Sequence, residues 1–560
     1  MSEAQRPWYR ELTGYHWFVL AVCTLGWLFD CLDQQLFANA RKPAVTELLQ
    51  AAPADPKVEM YTTLATSFLL IGWATGGIFF GIMGDRIGRA KTMVWTILAY
   101  SMFTGLSGFA FTVWDFIFYR FMTGLGVGGQ FAVGVSLVAE VMPDRARSPA
   151  LGMLQALSAM GNVTAALIAM GFNYLEGTGQ LPAAVPSAWR WMFAVGILPA
   201  LLSVVVMTRL EEPERWKKMV AEGAGKGKAG SLREIFGDPR WRRRVIVGMV
   251  LASAGVVGLW GIGFFMIDLN RSVFRKISEE EARQQGEAEQ DRQFVCLALQ
   301  SPAAIDEVKG RLAPQKLLGL TATDDDPQEI FAAALRLRSE GRTVSPEAVL
   351  TALDQSGDGP GQSSAQRKRR MDYLSPPPRD PQSVARHVER ISLRDKRIGQ
   401  EAGWWSAITS MLFNIGAFFG IYLFSRVTQR IGRRPAFAIF FLAAMASTIL
   451  AFLYMDSAAD VFWMVPLTGF CQLSVFGGYA IYFPELFPTR LRSTGTSLCY
   501  NIARFVAATG PLGLGLLTSK VFGGSAEPMR YAGVTMCAVF LLGIVVLPFA
   551  PETKGQPLPE

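Results

Sequence analysis

Long stretches without charge set the limits on what this chain can become. Residues 61–83, 92–114, 245–267 and 435–455 carry few or no charges. A helix of about 20 apolar residues spans roughly 30 Å of hydrocarbon, and an open strand there would leave its backbone groups unsatisfied. Hydrophobic residues make up 51% of the 560 positions and charged residues only 18%. That is too little charged surface for a soluble protein of this size. The chain reads as an all-α membrane protein whose first partner is the lipid bilayer.

The apolar runs predict twelve transmembrane helices, over 16–38, 61–83, 92–112, 115–141, 150–173, 190–208, 245–267, 403–424, 435–455, 460–482, 495–517 and 530–549. The head, Met1 to Tyr15, is polar, and the apolar run after it is too long for a cleavable signal peptide. A net charge of +8 resembles nucleic-acid affinity until the cations are located. Arg86, Arg89 and Lys91, then Arg145 and Arg147, then Arg430, Arg433 and Arg434 sit in short loops between apolar runs. So do Lys217, Lys218, Arg242, Arg243 and Arg244, in a linker over 209–244. Excess Lys and Arg mark cytoplasmic loops, and helix parity puts all of these on one side. The expectation is a multi-pass protein of the plasma (bacterial inner) membrane with both termini cytoplasmic, and no nucleic-acid partner.

This divides the chain into a first six-helix half, 1–208, the linker 209–244, helix seven at 245–267, an extracytoplasmic insert at 268–402, and the rest of the second half at 403–560. The insert shows helical windows at 279–299, 302–313, 327–341, 345–355 and 381–398. A connector at 356–379 holds the basic run Arg367 to Arg370 and three prolines, Pro376 to Pro378. It reads as a small helical outer domain; its role, and any partner it has, leave no signature.

Chemistry-bearing patterns are sparse. His16 and His387 are the only histidines, and the six cysteines show no ligand spacing or disulfide framework. No P-loop and no nucleophile–base or metal constellation is present, which argues against an enzyme, an ATP-driven pump or a bound cofactor.

An internal repeat organises the rest. Gly81, Asp85, Arg86, Gly88 and Arg89 recur as Ser425, Gln429, Arg430, Gly432 and Arg433. Glu140, Pro143 and Arg147 recur as Glu485, Pro488 and Arg492. The offsets, 429−85 = 344 and 485−140 = 345, run in step. A duplicated six-helix half explains them, and parallel repeats are a known transporter arrangement.

These residues resemble the signatures of the major facilitator superfamily, in particular its sugar-porter-like branch. Arg120, Gly124 and Gly126 resemble the fourth-helix signature. Trp189 to Phe193 and Pro213 to Trp216 resemble the start and exit of helix six, and Pro551 to Gly555 the tail after helix twelve. Everything outside 268–402 falls within the resemblance. Asp30 and Asp33 resemble the first-helix pattern of aromatic-acid:proton symporters, and Asp33 also matches the coupling aspartate of proton-coupled sugar porters. Gln155 resembles a sugar-contacting glutamine. The paired glutamines of sugar-porter helix seven are absent, with Gly258, Trp260 and Gly263 in their region, which weakens the sugar reading. The glycine–proline pattern of drug antiporters is also missing around Gly161 and Asn162.

The resemblance implies no covalent chemistry, only movement of a small-molecule substrate. Two carboxylates three residues apart share a helical face, and in low dielectric they do not ionise together easily. Proton coupling through Asp33 and Asp30, with Arg120 as the partner of Asp33, is the expectation; sodium fits the same carboxylates, and a wet vestibule is the bland alternative. Gly81, Asp85, Arg86, Gly88, Arg89, Glu140, Arg147, Arg430, Gly432, Arg433, Glu485 and Arg492 are expected to form a gating charge cluster, against a second reading in which the cations only set topology. Arg504, on helix eleven, suits a carboxylate, or else a structural ion pair. Gln155, Asn414, Trp260, Phe264, Tyr479 and Tyr482 are candidate pocket residues, with plain helix packing as the alternative for each aromatic. The expected activity is proton-coupled uptake of an organic anion such as an aromatic carboxylate. A sugar or polyol porter and a transporter-fold nutrient sensor are the rivals.

Overall fold

The structure, a computed structural model, describes residues 7–51, 55–182, 185, 187–222, 229–263, 266, 269–270, 273–278, 281, 333, 336–337, 340–342, 345–356, 368, 371, 381–507, 516–522, 524–525 and 527–559. Among them it forms helices and no strand. The predicted insert windows at 279–299, 302–313 and 327–341 lie wholly or mostly outside the described residues.

Helix α1 (Gly14–Leu49) opens on a reciprocal cap between Thr13 and His16 and closes on Gln50, at φ 49°. It runs past the expected 16–38 because its polar end is anchored. Glu47 accepts from Trp189 Nε1 at 2.7 Å and Arg190 Nη2 at 3.0 Å, and from the Ser187 hydroxyl. Helix α2 (Pro56–Ile87) begins with proline where no N–H is needed. Gly88, at φ 115°, makes the turn into α3 (Arg89–Ser107). After α4 (Val113–Val141) and α5 (Asp144–Gly177), the expected 190–208 helix is two, α6 (Ala188–Val195) and α7 (Pro199–Arg209). The break falls before Pro199, which cannot donate to the ladder.

The linker forms α8 (Glu214–Ala221) and α9 (Leu232–Gly237). Helix α10 (Pro239–Val257) passes into a π-helical turn at Gly258–Gly263. Then come α11 (Pro346–Ser356), the 51-residue α12 (Pro381–Ile431), α13 (Arg433–Tyr454), α14 (Ala458–Leu486) and α15 (Arg492–Ala507). The expected 530–549 helix is divided into α16 (Pro528–Met536) and α17 (Val539–Val546). Nine helical segments among the described residues are long and apolar enough to cross a membrane.

The chain forms two compact units, one of residues 1–270 with 407–560 and one of 271–406. In the first unit, glycines let helices meet backbone to backbone. A Cβ on Gly76 or Gly128 would lie 2.0 Å from the carbonyl oxygen of Leu125 or Trp73, fixing α2 on α4. Gly416, Gly420 and Gly469 do the same between α12 and α14. Small residues at helix contacts are how helices associate where burial from water gives no driving force. Between the halves, α2 packs on α15 and α5 on α14, which brings the two repeated motifs to one end.

Candidate functional site

At the arginine-rich end the repeat becomes a buried charge network. Asp85, at the end of α2, accepts from the Ser493 N–H at 3.1 Å, the Thr494 N–H at 2.9 Å and the Thr494 hydroxyl at 2.6 Å. The two N–H donors lie in the first turn of α15, where a helix start favours negative charge. Arg89 pairs with Asp85 and with Glu140, each at 3.0 Å, and donates across the halves to the Thr489 carbonyl at 2.6 Å. Arg492 pairs with the same Glu140 oxygen at 2.7 Å. One carboxylate oxygen therefore holds an arginine from each half. Gly88, at φ 115°, has a backbone conformation that side chains rarely adopt, and a Cβ there would stand 2.2 Å from Glu212 Oε1, which would have to move. Glu212 itself accepts from the Arg89 and Lys91 N–H groups at 2.7 and 3.1 Å.

The second half repeats much of this. Gly432 turns at φ 101°, and Arg433 pairs with Glu485 at 2.8 Å. Glu552 accepts from the Arg433 and Arg434 N–H groups at 2.9 and 3.1 Å. Burial raises the Glu552 carboxyl, but the backbone N–H groups of Arg433, Arg434 and Lys554 outweigh it and hold the group below its ordinary range. Arg147 donates to the Ala139 carbonyl at 2.8 Å and pairs with Asp144, just as Arg492 donates to the Pro484 carbonyl at 3.1 Å. The Arg86 Nε reaches the Ala229 carbonyl at 3.2 Å, whereas the Arg430 side chain is exposed.

Deeper in the first half, Asp30, Asp33 and Arg120 are all buried. Arg120 Nη1 stands 3.6 Å from Asp33 Oδ1, a loose pair. Its firmer partner is Ser107 Oγ, at 2.6 Å from Nη2 and 3.0 Å from Nε, and its guanidinium lies 4.5 Å from the Phe193 ring centre. No hydrogen-bond donor among the described residues reaches either Asp30 oxygen. Such a carboxyl is costly as an anion and tolerable once protonated.

Arg504 is 2% exposed and lies between aromatic faces, its Cζ 3.9 Å from the Trp73 ring centre and 4.2 Å from that of Tyr500. It donates to Asn501 Oδ1 at 2.9 Å, and among the described residues its Nε has no acceptor and no carboxylate pairs with it. Tyr500 stacks on Phe131 at 4.1 Å, and Phe131 meets Trp27 at 4.9 Å. Trp27 Nε1 donates to Gln155 Oε1 at 3.0 Å, and the Gln155 amide nitrogen has no acceptor among the described residues. Asn414 accepts from Asn162 Nδ2 at 2.7 Å, a bond between the halves that no sequence signal announces. Tyr479 is a packing residue by its contacts: its hydroxyl donates to the Leu251 carbonyl at 2.8 Å, and its ring stacks on Phe483 and Phe437. Tyr482 donates to the Pro551 carbonyl at 2.7 Å, at the arginine-rich end. The side chains of Trp260 and Phe264 lie outside the described residues. Sequence reading did not single out Glu212, Ser493, Thr494 or Glu552 as site residues, although Glu552 lies within the Pro551 to Gly555 pattern and Glu212 directly precedes Pro213.

This architecture and the two matched networks define a multi-pass membrane transporter. The family profile described as Sugar (and other) transporter matches residues 12–234, and that of the Major Facilitator Superfamily matches residues 398–560. The chain belongs to the major facilitator superfamily. It is similar to a protein of Cupriavidus pinatubonensis assigned as a 4-methylmuconolactone transporter, 24% identical over 98% of this chain and 93% of that one. The cis,cis-muconate transport protein of Acinetobacter baylyi is 32% identical over 36% of this chain and 46% of its own length. Among solved structures, the proton:xylose symporter XylE bound to 6-bromo-6-deoxy-D-glucose shares the fold, with a TM-score of 0.58, 16% identity, and coverage of 97% and 98% of the two chains.

Proposed function

We propose that this chain is a twelve-helix secondary-active transporter that takes up a small organic carboxylate together with protons, by alternating access. The observation that carries the substrate class is Arg504, a buried guanidinium between two aromatic rings with no carboxylate partner among the described residues. A buried charge without a counter-ion is costly, and a carboxylate substrate supplies one; the flanking Trp73 and Tyr500 faces suit an unsaturated or aromatic body. The free Gln155 amide nitrogen adds a second donor. The relatives bearing muconate and muconolactone in their names support the same class.

Coupling is assigned to Asp33, with Asp30 beside it. Protonating Asp33 releases Arg120, which keeps its bonds to Ser107 and so tolerates the loss. We place the arginine-rich end on the cytoplasmic side, where Asp85, Arg89, Glu140 and Arg492 hold the two halves together in this state and part in the other. Residues 268–402 are then an extracytoplasmic insert, and the membrane is the plasma (inner) membrane.

The test is proton influx into proteoliposomes across a panel of carboxylates and sugars. A carboxylate is expected to drive influx, Arg504→Lys to lower its apparent affinity at least tenfold, and Asp33→Asn to exchange substrate without moving protons. Influx driven by a polyol and indifferent to Arg504 would move the substrate class to sugars. Binding without flux would turn the reading to a sensor.

A further inference from the structure

Trp73, Gly77, Gly81 and Asp85 recur every four residues along one face of α2. Against that face α15 sets Arg504, Asn501, Ser497 and Ser493, in the reverse direction. At one end Ser493 and Thr494 bind Asp85, and the Thr494 hydroxyl also reaches the Gly81 carbonyl at 3.3 Å. Next along, the Ser497 hydroxyl donates to the Gly77 carbonyl. Gly77 leaves the space that the Asn501 amide fills, since a Cβ there would stand 2.1 Å from Asn501 Nδ2. At the far end Trp73 covers the Arg504 guanidinium. The charge lock and the buried arginine are thus the two ends of one seam.

Asn501, fully buried, uses both ends of its amide. Oδ1 accepts from Arg504 Nη1 at 2.9 Å. Nδ2 donates to Ser497 Oγ at 3.0 Å and to the Gly128 carbonyl, on α4 of the opposite half, at 3.4 Å. An amide has one accepting end and one donating end. With Oδ1 committed to the arginine, Nδ2 faces the other half. Turned round, it would set N–H against guanidinium and oxygen against carbonyl, and each buried group would go unpaired. Parting α15 from α2 and α4 removes Trp73 from Arg504 and Gly128 from Asn501 together.

We infer that Asn501 is a positioning residue that ties Arg504 to the seam, so that the arginine is held ready for an anionic substrate only while α15 lies against α2 and α4. The inference rests on the reading of Arg504 as the substrate's partner. Linkage makes the effect reciprocal. A carboxylate that binds better with the seam shut favours shutting by the same factor, and opening loosens the arginine and releases the carboxylate.

Ser497, buried where α15 meets α2, supplies the reporter. In inside-out vesicles, the rate of N-ethylmaleimide labelling of Ser497→Cys is measured against the same chain with Ser497 intact. Arg504→Met, which still fills space beside Trp73, is compared with Asn501→Leu and with the two combined, all without substrate. Each single change is expected to speed labelling about fivefold, and the pair no more than either alone, because Arg504 acts on the seam through Asn501. A merely structural Asn501 gives effects that multiply, and that outcome overturns the inference. Benzoate or cis,cis-muconate in excess is expected to slow labelling roughly threefold in the parent and not at all in Asn501→Leu. Equal protection of Asn501→Leu overturns the tie as well. If neither probe protects the parent, the carboxylate reading fails by itself, and the substrate-free comparison still decides Asn501. If Asn501→Leu fails to give a monodisperse protein, Asn501→Ala takes its place.

Discussion

The first half ends α2 with Asp85, and the second ends the matching helix, α12, with Gln429. Asp85 is bound by three donors of the opposite half, from Ser493 and Thr494. On the other side of the pseudo-symmetry the positions of Ser493 and Thr494 are held by Ser148 and Pro149 (offset 345). Pro149 has neither an N–H nor a hydroxyl to offer. The helix starts differ as well. α15 begins at Arg492 itself, so Ser493 and Thr494 are in its first turn with free N–H groups. α5 begins at Asp144, three residues before Arg147, so the N–H of Ser148 belongs to the helix ladder. What joins α5 and α12 near that end is a bond from Ser425 Oγ to the Ser148 carbonyl at 3.3 Å, with the Asn162–Asn414 bond farther along the same seam. Even the close contacts are mirrored with roles exchanged: Gly81 admits Ser497 on one side, and Gly152 admits Ser425 on the other. The duplication kept the shape of both seams, but carboxylate-to-helix locking only at one.

The largest effect is expected where a single atom serves both halves. Glu140→Gln leaves Arg492 buried with a neutral partner and Arg89 with Asp85 as its carboxylate, and removing one member of a buried pair costs about 3–5 kcal/mol. In the closed state this appears as a lower melting temperature and, with the Ser497→Cys reporter, as labelling faster by two orders of magnitude or more. Glu485→Gln strips only Arg433 of its partner and no bond between the halves, so its effect on labelling should be clearly smaller. Equal effects would break the comparison. Next is Asp85→Asn. It keeps the shape but weakens three hydrogen bonds to a charged acceptor, each worth roughly 1.5–3 kcal/mol when intact. Because the asparagine oxygen still accepts, a net loss of about 2 kcal/mol in closing is expected, read as labelling some 30-fold faster.

Much of this was legible in the residues. Offsets of 344 and 345 paired Asp85 with Gln429 and Glu140 with Glu485, and the family signatures pointed to an inter-half cluster before any contact was seen. The hydrocarbon length requirement pointed to the apolar spans, nine of which are long and apolar enough to cross a membrane among the described residues. It did not locate their ends, because helices such as α1 continue into polar turns held by Glu47 and Arg190, which no apolar count registers. The break between α6 and α7 was missed although Pro199 marks it, since a run of uniform hydrophobicity conceals a short turn. At the site, Arg504 was singled out as a helix-eleven cation suited to a carboxylate or to a structural ion pair. Its sandwich between Trp73 and Tyr500 was not foreseeable, because Trp73 comes from the opposite half, 431 positions away (504−73). Backbone donors are equally silent: the side chain of Ser493 says nothing of its N–H, which depends on where α15 starts. Tyr479 looked like a pocket residue by type, yet its hydroxyl is held by the Leu251 carbonyl.

The smallest effect sharpens the comparison most. If the asymmetry arose only from the loss of a carboxylate, Gln429→Asp would restore a second lock and slow labelling of Ser497→Cys. The geometry argues otherwise, since Pro149 and the early start of α5 leave no first-turn donors for the new carboxylate. Gln429 is only half-buried, so the added charge finds water at little cost, and a change within about 0.5 kcal/mol is expected. Gln429→Asp should also fail to rescue Asp85→Asn in the same chain. Slower labelling in either variant would mean that a carboxylate at the end of α12 finds donors after all. The one-sided lock would then be a matter of a single side chain. Unchanged labelling would place its origin in the backbone, where Thr489–Leu491 form a 3₁₀ turn ahead of α15 and their counterparts, Asp144 to Ala146, are already the first residues of α5.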